Sequence, residues 1–326
     1  MAKRLTSPNE EFRAMQEYRG AYTDLRDLVR LRYAAREMAD LTGNKTSNPL
    51  AGLLSSNFRG RGIDFAEVRV YQPGDDVRTI DWRVTARTQV AHTKVFQEEK
   101  ERPVLILVDQ SASMYFGSQV TFKSVLAART AAIIAWSALE RGDRVGGLVF
   151  SEKGHREIRP RRNKHAVLRL LNELHDFNHA LKKESATESA AYNDNYFTEA
   201  ISNVRRVTKH GSVIFIISDF TNFSEESRIH LQPLARHSDV IGIHISDSLE
   251  RHLPTPDLYS ITNGAERTRI NTASGKTRDA YERGFQQQIA AIQEEFMRVK
   301  APLLMLQTHQ PILAGLNRQA SFAAKV

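Results

Sequence analysis

Asp109, Ser111 and Ser113 stand at alternate positions directly after the apolar run Val104–Val108. At the carboxyl end of a buried parallel strand, a D-x-S-x-S loop can place one carboxylate and two hydroxyls around a single point. Such hard oxygen ligands suit a divalent cation, Mg²⁺ or else Ca²⁺ or Mn²⁺. The same spacing also fits an Asx-turn followed by a helix cap. A second aspartate, Asp219, follows another apolar run, Val213–Ile217. If both runs are strands of one parallel sheet, both carboxylates lie on the same edge. A third ligand is expected from the segment before the helix at 197–209. Asp194 would bring a charged oxygen, Asn195 or Thr198 a neutral one, and Asp194 or Asn195 would serve equally well as an N-cap. The serines would bind directly, the aspartates directly or through water. A site so poor in direct charge keeps water or takes an outside oxygen, such as a partner's carboxylate, as its last ligand. That points to recognition before catalysis.

Motifs for catalysis are missing. There is no G-x-x-x-x-G-K-[ST] loop for a nucleotide and no G-x-S-x-G elbow. An aspartyl phosphotransfer site of the haloacid-dehalogenase type would need an aspartate where Ser111 stands. A metal-dependent hydrolase at the same site is a rival reading, but it needs a general base and none is evident. His175 and His179 are four apart, yet Asn178 suggests a frayed helix end there, so a solvated pair is expected rather than zinc.

The elements that must position these groups follow from periodicity. Residues 1–19 are polar and aperiodic, and an amphipathic helix is expected from Tyr22 to Leu41, stopped by Gly43-Asn44. Residues 46–100 hold two alternating runs, Phe65–Tyr71 and Ala91–Phe96, with the turn Pro73-Gly74-Asp75-Asp76 between them, which reads as a small β-rich module. From 104 onward strands alternate with helices: strands at 104–108, 144–150, 213–217, 240–245 and 302–306, and helices at 121–141, 163–177, 197–209, 225–238 and 278–299. A strand near 156–158 is expected to run antiparallel, and a hairpin falls at 256–272. The fold class is therefore α/β, a Rossmann-like doubly wound and mostly parallel sheet with helices on both faces. Three domains are expected: an arm and helix at 1–45, the β-rich module at 46–102, and the α/β domain at 103–320.

Among 326 residues there is no cysteine, so disulfides, thiolate metal sites and cysteine nucleophiles are excluded. No apolar run approaches the length of a membrane span, and the first residues lack a signal-peptide core, so a cytoplasmic protein without a membrane span is expected. The formal charge of +8 favours acidic partners and leaves a nucleic-acid or anionic-surface binder as a second rival. The densest basic stretch, Arg156–Lys164, has no interleaved aromatics and matches no nucleic-acid motif. A solvated hairpin is the simpler account, and nucleic acid is disfavoured as a partner.

The run from Arg61 to Trp82, RGIDFAEVRVYQPGDDVRTIDW, with Arg83–Arg87 and Gln97-Glu98-Glu99 after it, resembles the signature of the domain-of-unknown-function 58 family. Asp109–Met114 is similar to that family's form of the metal-ion-dependent adhesion site of von Willebrand factor A domains, and Ser218-Asp219-Phe220 to its second aspartate motif. The resemblance covers roughly residues 50–310. It implies a von Willebrand factor A-type fold, with Mg²⁺ or a similar cation at Asp109, Ser111 and Ser113 and support from Asp219. It also implies a MoxR-type AAA+ ATPase as partner, in chaperone-like maturation or remodelling of protein complexes; the acidic protein client is expected from the open ligand position of the site itself. The family's threonine ligand falls at Asn195, or at Thr198 if the register shifts by one turn. Within the signature, Asp75, Asp76, Arg78, Asp81, Trp82 and Arg87 read as a buried ion-pair and hydrogen-bond network locking the β module in place. A partner interface is the competing reading, because Trp and Arg are favoured there.

Overall fold

Val104, Ile106 and Val108 face one side of a sheet, while Leu105 and Leu107 face the other. Side chains of a strand alternate, so a continuous apolar run is one buried on both faces. The computed structural model describes residues 20–40, 63–98, 102–181, 195–262 and 267–316. The polar arm at 1–19, the Gly43-Asn44 stop, Arg61-Gly62, Glu99 and Asp194 lie outside the described residues. By its contacts the chain divides into two units, Arg59–Arg102 and the remainder.

The larger unit carries helix α1 (Leu25–Asp40) and then, beyond the small unit, β3 (Pro103–Asp109), α3 (Lys123–Glu140), β4 (Arg144–Ser151), β5 (Gly154–Arg161) and α4 (Lys164–Ala180). After these come α5 (Tyr196–Val207), β6 (Val213–Ser218), α6 (Glu225–His237), β7 (Asp239–Ser246) and the short α7 (Ser248–Arg251). The hairpin β8 (Leu258–Thr262) and β9 (Arg267–Asn271), helix α8 (Gly275–Arg298) and β10 (Leu303–Gln307) complete it. Six strands form one sheet in the order β10-β7-β6-β3-β4-β5. Every neighbouring pair is parallel except β4 with β5, which is antiparallel. The doubly wound sheet expected from the sequence is therefore present, with its antiparallel edge strand.

Two apolar layers cover the sheet. On one face, Val104, Ile106 and Val108 pack with α3 and α4, and Leu28, Leu31, Ala34 and Ala35 of α1 join the same cluster. Helix α3 is buried along nearly its whole length, which explains why it is alanine-rich and apolar all round rather than amphipathic. On the other face, Leu105 and Leu107 pack with Phe197, Ile201 and Val204 of α5, Leu231 of α6 and Phe296 of α8.

From β3 the chain goes to β4 on one side, then returns through α5 to β6 on the other side of β3. The strand order reverses there. In open α/β sheets ligands bind outside the carboxyl ends of strands at such a switch point.

The small unit pairs β1 (Ile63–Val70) with β2 (His92–Glu98) in antiparallel register, broken by a bulge between Phe65 and Glu67. Between the strands lie a 3₁₀ turn at Val77–Thr79 and helix α2 (Trp82–Thr88). The sequence pointed to a turn at 73–76 but to neither the 3₁₀ turn nor this helix. Its start is set by Asp81, whose carboxylate accepts from the backbone N–H groups of Arg83 and Val84.

Candidate metal centre

Asp109 ends β3, and Asp219 follows the last residue of β6. The two strands are hydrogen-bonded neighbours, with Val108 opposite Ile217. Both aspartates therefore stand on the same edge at the switch point, as their place after two apolar runs implies. Asp109 is 1% exposed. Its Oδ1 accepts the Ser111 N–H at 2.9 Å, and its Oδ2 accepts the Ser218 hydroxyl at 2.6 Å. The Asx-type turn is real. The helix cap is not, because Ser111 precedes the 3₁₀ turn Ala112–Met114 without a side-chain capping bond. Its hydroxyl instead lies 3.1 Å from that of Ser113. The Ala112 N–H donates to Glu152 Oε1 at 2.8 Å, which fixes the outer side of the loop.

The electrostatics show what the site lacks. Burial, and then the charge of Asp219, push the Asp109 carboxyl up to about 7, against the pull of Ser218 and Ser111. Burial alone would raise Asp219 too. The Lys123 ammonium outweighs it, with help from the Thr221 N–H and the Ser113 hydroxyl, and holds Asp219 below the usual carboxylate range. Lys123 Nζ donates to Asp219 Oδ2 at 2.8 Å and to Glu250 Oε1 at 2.5 Å. Glu250 and Asp247 form a capping box at α7. Asp247 also accepts from Ser118 and Thr308, tying the loop after Asp109 to the far side of the sheet edge. Thus Asp219 has a counter-charge, whereas the hydrogen bonds to Asp109 come from neutral groups.

That arrangement fits a cation. Two carboxylates and two hydroxyls converge, and one carboxylate is buried against neutral donors, where added positive charge would offset its burial. Among the described residues no group of three or more His, Asp or Glu side chains gathers, so a divalent ion there would have to draw on the serine hydroxyls.

The third-ligand candidates sit differently. Thr198 is buried, but its hydroxyl lies 2.7 Å from Ser227 Oγ and 3.2 Å from Ser224 Oγ, so it joins α5 to the start of α6. Asn195 is exposed at the N-cap of α5 and makes no side-chain capping bond. Tyr196, one of the two residues between them, comes nearer to the aspartate loop. Burial and then the Asp109 charge push the Tyr196 hydroxyl up, opposed by hydrogen bonding to Ser111 and Asn222. Tyr196, Lys123, Glu250 and His244 were not singled out from the sequence, and Ser218 was named only as part of the second aspartate motif. A lysine opening an alanine-rich, mostly apolar helix was the one signal that could have found Lys123.

Phe220 has φ +55 immediately after Asp219. A bulky residue in that region is strained. It is held by edge contacts with Phe197, Phe223 and Phe296 and by stacking on His244, while its N–H donates to Ser218 Oγ. Burial drives the His244 imidazole down to about 4, against the attraction of Asp219.

Two expectations are corrected. Helix α4 does not fray at Asn178. That side chain is fully buried, accepting the Thr23 N–H and donating to Gln110 and Ser124. His175 and His179 hydrogen-bond Thr23 beside it, so the pair pins the segment before α1 rather than standing in solvent. The signature run is not a buried network either. Asp75 accepts from the Gln72 N–H and pairs with Arg69, Asp76 and Asp81 cap local turns, and Trp82 is 71% exposed.

A family model described as protein of unknown function DUF58 matches residues 67–291. The chain is 29% identical over 265 residues to uncharacterized protein Rv1480 of Mycobacterium tuberculosis and to uncharacterized protein Mb1516 of Mycobacterium bovis, with 79% of each chain covered in both cases. Among solved structures it is similar to the conserved hypothetical protein BatB from Bacteroides thetaiotaomicron. The identity there is 17% and the TM-score 0.38, covering 69% of this chain and 100% of that one. No helix among the described residues is long and apolar enough to cross a membrane.

Proposed function

The chain belongs to the DUF58 family, and on that premise we propose that it is a non-enzymatic, metal-dependent protein-binding adaptor. Asp109, Ser111 and Ser113 would hold a divalent cation, with Asp219 in support. A bound Mg²⁺, Mn²⁺ or Ca²⁺ would supply an open position for an oxygen from outside the chain. The protein's own part is to keep the loop rigid: Ser218 and the Ser111 N–H orient Asp109, and Glu152 holds the Ala112 N–H. The observation that carries this reading is geometric: two buried carboxylates, Asp109 and Asp219, end neighbouring parallel strands at the switch point, with the Ser111 and Ser113 hydroxyls in the loop beside them. The outside ligand is an acidic side chain of a client. A MoxR-type AAA+ ATPase supplies the work in chaperone-like remodelling, a role resting on the family signature at 61–82 rather than on the cation site.

Calorimetric titration of Mg²⁺ into wild type and Asp109→Ala tests the site. Saturable heat in wild type that vanishes in the variant supports it. A pull-down of the ATPase and client follows, with and without cation. Retention of the client by the Asp109→Ala, Ser111→Ala double variant would sink the proposal.

A further inference from the structure

A cavity of about 340 Å³ opens beside the aspartate edge, lined by Asp219, Thr221, His244 and Glu250 on the sheet side and by Tyr281, Gly284 and Phe285 from α8. That is the size of a small ligand pocket. Its chemistry is one-sided. Asp219 and Glu250 bring two carboxylates, and the Lys123 ammonium behind them offsets one charge, leaving the lining with one net negative charge. His244 is 2% exposed and its Nδ1 has no hydrogen-bond partner. The Tyr281 hydroxyl is already committed to the Leu249 carbonyl at 3.0 Å. Each Asp219 and Glu250 oxygen already accepts one bond, from Thr221, Lys123 or Asp247, so what the cavity has to spare is the second lone pairs of those oxygens, the His244 nitrogen and aromatic surface.

We propose that this cavity binds the guanidinium of an arginine side chain from a partner protein. A guanidinium has five donors, no acceptor and a fixed positive charge. It pairs with carboxylates in a planar fork and lies well against aromatic faces. An anion would meet two carboxylates, and an uncharged apolar group would strand them. This site is separate from the cation reading, although Asp219 borders both.

The test titrates N-acetyl-arginine amide into the full chain in EDTA, with N-acetyl-glutamate amide as the anionic control and N-acetyl-lysine amide as the comparator. Saturable millimolar binding of the arginine probe is expected, at least tenfold tighter than the glutamate probe, with the lysine probe between them. A Cβ placed at Gly284 would meet nothing within 4 Å, so Gly284→Leu fills the open space without entering the core. It should abolish arginine binding while the melting temperature holds or rises and the Mg²⁺ heat is kept. Glu250→Gln, which keeps one acceptor oxygen for the Asp247 N–H and gives up the one that faces Lys123, should weaken the arginine probe about tenfold and serves if the first variant folds poorly. No saturable binding, equal binding of the glutamate probe, or unchanged binding in both variants would overturn the proposal. Because EDTA is present in every arginine titration and the Mg²⁺ heat is read separately without it, failure here leaves the cation site untouched, and failure of the cation site leaves this result standing.

Discussion

Lys123 Nζ lies 2.8 Å from Asp219 Oδ2, and the two side chains are only 2% and 5% exposed. A buried pair adds little over an apolar substitute, but breaking one strands a charge. Lys123 stays protonated because Asp219 and Glu250 outweigh the burial that would lower it. Lys123→Met should therefore cost about 3–5 kcal/mol in urea unfolding, with Asp219 and Asp109 left as two buried carboxylates. The double variant Lys123→Met, Asp219→Asn should recover part of that loss. If the single variant unfolds at the wild-type urea midpoint, the pair is not what holds this edge together.

Asp109 makes a pH prediction of opposite sign to a salt-bridged carboxylate. Its folded-state value is raised from 3.8 to about 7, so the folded protein keeps a proton that the unfolded chain has lost. Stability from this group is fully present below pH 4, falls as pH rises through that window, and is lost above about 7. In EDTA, Asp109→Asn should be more stable than wild type at pH 8, by up to a few kcal/mol, and nearly equal to it at pH 4. Added Mg²⁺ at pH 8 should narrow the gap by stabilising only the wild type. Thermal melts across pH decide it, and a gap that shrinks toward alkaline pH would refute the account.

Much of this was legible in the sequence, for a physical reason. Val104–Val108 and Val213–Ile217 are apolar on both faces, so they had to be central strands, and the aspartates after them had to share an edge. What stayed hidden depends on contacts between distant segments. Nothing local shows that Thr198 is spent on Ser224 and Ser227, or that Tyr196 rather than its neighbours comes near the aspartate loop. Lys123 meets Glu250 across 127 positions, a pairing that only the folded chain reveals. The same holds for Asn178, whose polar character read as a helix end but serves a buried junction.

That junction can be tested. Asn178 accepts the Thr23 N–H at 2.7 Å and donates to Ser124 Oγ at 2.9 Å, all within the core. Asn178→Ala would leave these groups without partners at roughly 1–3 kcal/mol for each unsatisfied group. A loss of at least ~2 kcal/mol is expected, together with faster amide exchange at Thr23 than at the sheet residues Leu105 and Ile216. Equal exchange at both would mean that the segment before α1 is held by something else.

Trp82 separates stability from recognition. It opens α2 at 71% exposure, with its helix started by Asp81 rather than by its own ring. A side chain so exposed has little burial to lose, and Trp82→Ala should change unfolding free energy by no more than about 0.5 kcal/mol. An exposed Trp followed by Arg83 and four residues after Arg78 in the sequence is the composition that interfaces favour. If the proposed AAA+ ATPase docks there, the same variant should weaken its capture at least tenfold while leaving Mg²⁺ heat unchanged. Full capture by Trp82→Ala would remove the signature helix from the partner interface, and a large fall in stability would return its ring to a structural role.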